Sequence, residues 1–355
     1  MVERILVTGG SGFIGSALCR LLVEKTQAEI VNLDKLTYAA SPAACAGIAT
    51  SPRYRLVVGD VADGALVETV CSEFRPQWIF NLAAESHVDR SIDAPEDFIA
   101  TNVVGTLRLL EAAKNVWRKA PDAAQRFIQV STDEVFGSLG DTGAFDEASP
   151  LRPNSPYAAS KAGADHLAQA WHATYGLPTI VTHCSNNYGP FQFPEKLIPR
   201  TIARALRGET IDVYGDGRQV RDWLFVEDHA AALLLIAEKG TAGGSYAIGG
   251  GAERRNIDLV HAICQHLDRQ APRGGSLHAD LIRHVTDRPG HDYRYAIDDR
   301  LLRKSLGWAP HHSFEVGLAR TIGWYLEHRV WWEELLTTRY DGHRLGLAQS
   351  TDAAA

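Results

Sequence analysis

Asp133 and Glu134 stand side by side, and Tyr157 and Lys161 follow them four residues apart. Two carboxyl groups this close cannot both ionise easily. One stays protonated as an acid while the other works as a base, which is what a β-elimination of water needs. Residues four apart share a helix face, so Tyr157 and Lys161 meet if that segment is helical. A free phenol has a pKa of roughly 10, and a neighbouring ammonium favours the phenolate, a base for an alcohol that is losing hydride. Thr132, just before the carboxyl pair, can hydrogen-bond the hydroxyl that Tyr157 deprotonates. Together these residues describe a redox enzyme whose net reaction is not redox.

Hydride chemistry needs an acceptor, and residues 9–15 offer a place for one. Gly9, Gly12 and Gly15 follow an apolar β-branched run and open a helical pattern. In that setting Gly9 allows a tight turn, Gly12 lets the backbone approach a pyrophosphate, and Gly15 permits close helix packing. The spacing is G-x-x-G-x-x-G, a departure from G-x-G-x-x-G, and a glycine-rich turn alone is weak evidence. Asp34 ends the next strand, where a carboxylate accepts from ribose hydroxyls and repels a 2′-phosphate, so NAD is expected rather than NADP. Lys35 beside it softens that preference. Asp60 and Val61, after the third strand, are expected at the adenine.

The elements that must carry these residues read as α/β. Strands are expected over 4–8, 29–34, 54–60, 78–82, 126–131 and 179–183, with helical patterns between them, giving a doubly wound parallel sheet of Rossmann type. The expected division is a dinucleotide-binding domain over 1–185, a smaller substrate-binding lobe over 186–335 and a mobile tail over 336–355. Residues 223–226, with the alanine-rich run after them, look like a strand and helix that rejoin the main sheet at about 221–240. With 355 residues, 45% hydrophobic, a large core is available. A formal charge of -7 without a basic block excludes a nucleic-acid footprint. Five scattered cysteines without C-x-x-C indicate neither a disulfide framework nor a zinc site, and the fourteen histidines show no ligand spacing, so no metal is expected. No apolar run approaches membrane-spanning length and no signal peptide is evident, which points to the cytoplasm.

Longer motifs carry a resemblance. Residues 8–15, 33–38, 81–91, 131–134, 184–190 and 221–223 closely resemble the dTDP-glucose 4,6-dehydratase family of extended short-chain dehydrogenase/reductases, and the likeness runs from about residue 1 to about residue 335. It implies an NAD-dependent lyase acting on a nucleotide sugar. Tyr157, supported by Lys161 and Thr132, would deprotonate the glucose C4 hydroxyl, Glu134 would take the C5 proton and Asp133 would protonate the departing C6 hydroxyl. The resemblance also implies that Phe13, Ile14, Asp34, Lys35, Leu36, Thr37, Asp60, Val61, Leu82, Ala83, Ala84, Ser86 and Thr101 line the NAD site, with Asn187 nearby. Ser86 and Asn187 would contact sugar or phosphate, while Lys196, Tyr214, Arg221, Asn256 and His291 would hold the diphosphate and nucleoside. The family usually dimerises through the helices carrying residues 101–117 and 157–175.

Ala39-Ala40-Ser41-Pro42 stands where that family usually reads Ala-Gly-Asn, and Ala247 where Asn is common. Rival readings are a 4,6-dehydratase of UDP-glucose, CDP-glucose or GDP-mannose, a sugar-nucleotide 4-epimerase, and a nucleotide-sensing protein that binds NAD without turnover. An epimerase needs Tyr157 and Lys161 but has no use for Asp133 and Glu134. A sensor would be expected to have lost one of the two pairs.

Overall fold

The computed structural model describes residues 2–287 and 290–340. Its strands are β1 (Arg4–Thr8), β2 (Glu29–Asp34), β3 (Tyr54–Val58), β4 (Trp78–Asn81), β5 (Arg126–Thr132), β6 (Thr179–Cys184), β7 (Asn186–Tyr188), β8 (Ile211–Tyr214), β9 (Val220–Phe225), β10 (Ser245–Ile248), β11 (Glu253–Arg255) and β12 (Ile282–Val285). Seven of them run parallel in one sheet, in the order β10-β6-β5-β4-β1-β2-β3. Ile5, Leu6 and Val7 of β1 are fully buried. Such a continuous apolar strand is what a parallel sheet covered on both faces demands.

Helices Phe13–Lys25 and Val226–Lys239 close one face, with Leu18, Leu22, Leu233 and Ile236 in its core. Helices Gly64–Phe74 and Gly105–Lys119 close the other through Val67, Phe74, Leu109 and Trp117. The doubly wound α/β fold expected from the sequence is therefore present. No helix among the described residues is long and apolar enough to cross a membrane.

Six of the seven main strands fall where the sequence expects them. The seventh, β10, is new, and it corrects the expected return to the sheet. Residues 223–226 do not join the main sheet, because β9 pairs with β7 and β11 in a separate three-stranded sheet. Side-chain alternation explains the choice. Trp223 and Phe225 point into the lobe core beside Tyr188, whereas Leu224 points into the core of the main sheet. The chain then returns through helix Val226–Lys239, and β10 adds itself beside β6.

Residues 336–338, expected in a tail, complete helix Arg329–Thr338. Arg339 donates to Ala40 O at 2.7 Å, and the buried Tyr340 ring lies 6.1 Å from Phe193. Residues 341–355 lie outside the described residues.

Candidate active site

The sheet order changes direction between β1 and β4, the switch point where open α/β sheets bind ligands at their carboxyl ends. A cleft of about 290 Å³ opens there. Gly9 adopts φ +69, and a Cβ on it would meet Ala83 N at 2.7 Å, so the loops after β1 and β4 touch. A Cβ on Gly15 would meet Gly9 O at 2.1 Å. Backbone cannot yield easily on either side. Gly15→Ala is expected to cost about 1–3 kcal/mol of overpacking, read as a lower Tm in thermal unfolding; an unchanged Tm would remove Gly15 from this packing role.

Asp34 lines the cleft at the end of β2. Its Oδ2 accepts from Ser11 N at 2.9 Å and its Oδ1 from Leu36 N at 2.8 Å. Burial pushes its carboxyl upward, while the Leu36 and Ser11 amides and Lys35 pull it back. Lys35 turns inward: its Nζ donates to Thr101 Oγ1 at 3.0 Å and lies 3.4 Å from Glu85 and 3.7 Å from Asp60. A cation committed to two carboxylates is poorly free to attract a 2′-phosphate. Thr101 sits in a π-helical stretch, Ile99–Val104, between helices Pro95–Phe98 and Gly105–Lys119. Such bulges aim side chains that a regular helix would turn away. In this stretch Asn102 pins the loop after β4, exchanging hydrogen bonds with Glu85 N and O at 3.0 Å each.

Gly9, Gly12, Phe13, Ile14, Gly15, Asp34, Lys35, Thr37, Val61, Leu82, Ala83, Ala84, Ser86 and Thr101 all line the cleft, as do Thr132, Glu134, Tyr157, Lys161, Asn187 and Lys196. Leu36 and Asp60 lie outside the lining. Tyr214, Arg221, Asn256 and His291 also lie outside it and gather in the lobe. The Tyr214 and His291 rings meet edge to face at 6.2 Å, and His291 Nδ1 lies 2.6 Å from Asp287. Gln219 links Asp287 to Asn256, donating to Asp287 Oδ2 at 2.7 Å and accepting from Asn256 N at 2.9 Å. Arg221 donates to Asp292 O at 2.9 Å and lies over the Tyr295 ring at 4.3 Å. Arg288 and Pro289, just before His291 in the chain, are outside the described residues.

At the end of β5 the chain turns sharply. Thr132 caps the short turn Asp133–Phe136, accepting from Glu134 N at 3.3 Å and donating to Asp133 Oδ1 at 3.3 Å. The turn separates the two carboxyl groups by environment. Asp133 is only 1% exposed, and its Oδ2 has no partner among the described residues. Burial, reinforced by Glu134 and Asp222 and opposed by Arg221 and Thr132, raises its carboxyl well above the usual range. Glu134 is half-buried and lines the cleft. A buried carboxyl held toward its protonated form and one open to the cleft thus lie adjacent, as an acid/base pair requires.

Ser155 caps helix Pro156–Tyr175 through Ala158 N at 3.1 Å, and that helix carries Tyr157 and Lys161. The expected lowering of Tyr157 by Lys161 is not what this geometry produces. Burial pushes the phenol well above its ordinary value, the acidic groups Glu134, Cys184 and Asp133 push it further, and the Thr132 hydroxyl opposes them. Lys161 donates instead to Val130 O at 2.6 Å. Phenolate formation in this buried, acid-lined setting therefore needs additional positive charge.

Two residues of the site are not singled out by the sequence reading. Cys184, which burial pushes up to about 12, lines the cleft beside Asn187. Glu195 also lines it, accepting from Tyr38 OH at 3.2 Å, with burial raising its carboxyl. Its neighbour Lys196, whose Nζ donates to Ser86 O at 2.9 Å, was the available clue.

Comparisons with known proteins place the whole chain among relatives. The family model described as GDP-mannose 4,6 dehydratase matches residues 6–321. The dTDP-glucose 4,6-dehydratase of Neisseria meningitidis is 51% identical over 352 residues, covering 97% of this chain and 99% of its own. The crystal structure of the dTDP-glucose 4,6-dehydratase of Streptomyces venezuelae, with NAD and TYD bound, superposes with a TM-score of 0.86 at 45% identity, covering 94% of this chain and all 100% of that one. That of Bacillus anthracis, in complex with NAD, gives 0.83 at 44% identity over 94% of this chain and 99% of that one.

Proposed function

The chain belongs to the dTDP-glucose 4,6-dehydratase family, and from that premise we propose how it converts dTDP-glucose to dTDP-4-keto-6-deoxy-glucose with NAD held in the cleft. The observation that carries this reading is the Asp133–Glu134 turn: a buried carboxyl that burial raises well above its usual range next to one that lines the cleft, both acting electrostatically on Tyr157. The glycine cradle, which any Cβ would fill, and Asp34 at the end of β2 fit a dinucleotide that carries no 2′-phosphate. NAD, when bound, accepts hydride from sugar C4 and returns it to C6.

Tyr157 takes the proton of the C4 hydroxyl, with Thr132 hydrogen-bonding the same oxygen. The C4 ketone that results acidifies the C5 hydrogen. Glu134 removes that proton, Asp133 gives its own to the C6 oxygen, and the C6–O bond breaks with loss of water. Glu134 then returns a proton to C5 as C6 is reduced. Every residue ends in the state it began once the proton held by Tyr157 reaches Asp133, directly or by exchange through solvent. Lys196, Tyr214, Arg221, Asn256 and His291 hold the nucleoside diphosphate in this proposal, and Ser86 and Asn187 the sugar.

A 4-epimerase moves no proton at C5 and expels no hydroxyl, so it would gain nothing from a protonated Asp133. The test is to incubate the protein as purified with dTDP-glucose and no added reductant. A product lighter by one water, with NAD rather than NADP released on denaturation, is expected. Interconversion of glucose and galactose nucleotides without water loss would overturn the reading. A panel of dTDP-, UDP-, CDP- and GDP-sugars compared by kcat/KM tests the base preference.

The protein is further proposed to work as a homodimer in the cytoplasm. In support, helices Gly105–Lys119 and Pro156–Tyr175 lie side by side, joined by Trp171 Nε1 donating to Glu111 at 3.0 Å, with Tyr175 54% exposed at one end. Its five cysteines are all free thiols, as a reducing compartment keeps them. A monomeric mass by light scattering would exclude the dimer.

A further inference from the structure

Asp165 lies one turn beyond Lys161 on helix Pro156–Tyr175 and is fully buried. Its Oδ2 accepts from Ser131 Oγ at 2.7 Å and faces His183 Nε2 at 3.3 Å. Its Oδ1 has no partner among the described residues. A carboxylate this deep is costly unless a positive charge compensates it. Lys161, itself 4% exposed, is the buried cation on the same helix face.

We propose that Asp165 is a positioning residue of the dehydration: it keeps Lys161 an ammonium at the end of β5 and, through Ser131, sets the strand end that presents Thr132, Asp133 and Glu134. The inference rests on the dehydratase reading above and deepens it.

Two facts besides placement support the first role. Among the described residues Lys161 Nζ donates to the neutral Val130 O, and a single carbonyl does not replace the water an ammonium loses on burial. Burial lowers the Lys161 ammonium, and among the influences opposing burial Asp165 comes first and Cys184 second. The second role follows from what the carboxylate ties together. Ser131 is on β5, two residues before Asp133. His183 is on β6, and its Nδ1 lies 3.3 Å from Ser245 Oγ of β10. The His183 ring also packs at 4.7 Å on Phe136, the last residue of the catalytic turn. One carboxylate thus joins three neighbouring strands to the helix of the base.

The titratable groups facing this cluster are Asp133 and Glu134 from the turn, His183 and Cys184 from β6, and Tyr157 and Lys161 from the helix itself. Of these, Lys161 is the one that must stay protonated for its role. Removing the Asp165 charge lets it lose its proton at lower pH.

The experiment is the pH profile of kcat for wild type, Asp165→Asn and Asp165→Glu, with bound NAD measured for each. The isosteric Asn can still accept from Ser131. Asp165→Asn is expected to shift the alkaline limb down by about one pH unit, the effect of losing an opposite charge one helix turn away in a buried site, with bound NAD and KM for dTDP-glucose little changed. Asp165→Glu, which keeps the charge, is expected to return the limb to its wild-type position at reduced kcat. A merely structural role would lower Tm without moving the limb. Superimposed limbs in wild type and Asp165→Asn would overturn the proposal. Should the Asn variant not fold, a limb that moves down in the charge-retaining Glu variant overturns it equally. Wild type that releases no dehydrated product sinks the dehydratase reading instead, so the two failures are distinguishable.

Discussion

Glu134→Gln is expected to lower kcat by about 10²–10⁴-fold, the usual contribution of a positioned general base, and to abolish deuterium incorporation at sugar C5 in heavy water. The amide keeps the shape of the side chain and can still hydrogen-bond, but it cannot accept the C5 proton. Glu134 is half-buried and lines the cleft, so the exchange keeps the packing and loses only the basicity. Its backbone N–H, which donates to Thr132 Oγ1, is untouched, so the cap of the Asp133–Phe136 turn survives. Removing a charge that pushes the Tyr157 phenol upward also makes that phenol easier to ionise. The variant should therefore still bind NAD and dTDP-glucose, and its C4 chemistry should not be the step that fails. The check is the mass and proton spectrum of the sugar nucleotide recovered from heavy water. Wild-type-like deuterium at C5 in Glu134→Gln would assign the C5 proton to another group.

What the sequence made legible follows from distance along the chain. Thr132, Asp133 and Glu134 occupy one strand end and Tyr157 and Lys161 one helix turn, so their spacing is already their geometry. The glycines and Asp34 flank one β-α-β crossover and are nearly as local. Long-range register was not legible. Asp165 meets Ser131 across 34 residues, and the contact depends on how helix Pro156–Tyr175 lies across β5. The cluster of Tyr214 and His291 depends on the parallel pairing of β8 with β12, two short strands of the lobe. The return of the chain to the main sheet was read one element too early, because the last residues of β9, Trp223, Leu224 and Phe225, are apolar on both faces and alternation alone does not say which sheet takes them. The direction of the Tyr157 shift was missed for a different reason. Spacing shows that a lysine is near, but it shows neither how deep the phenol lies nor that three acidic groups surround it.

Depth is also what separates the two carboxyl groups, and Asp133→Asn turns that into a measurement. Asn cannot donate an acidic proton to the departing C6 hydroxyl, so kcat is expected to fall by about 10²–10⁴-fold. Stability should move the other way with pH. Asp133 is raised in the folded state above its unfolded value of roughly 3.9. Between those two values the native state holds a proton that the unfolded chain has lost, so stability declines as pH rises through that window. Each unit of separation is worth about 1.4 kcal/mol. The Asn variant has no such decline. Its amide adds a constant term, since one buried end of the side chain has no partner among the described residues and an unmet donor there costs about 1–3 kcal/mol. That constant fixes where the two curves start but not how they diverge. The expected result is that Tm of Asp133→Asn minus Tm of wild type grows steadily as pH rises from about 4 towards neutrality. A flat difference across that range would mean that Asp133 ionises in the folded protein as it does unfolded, and would leave the C6 hydroxyl without its acid.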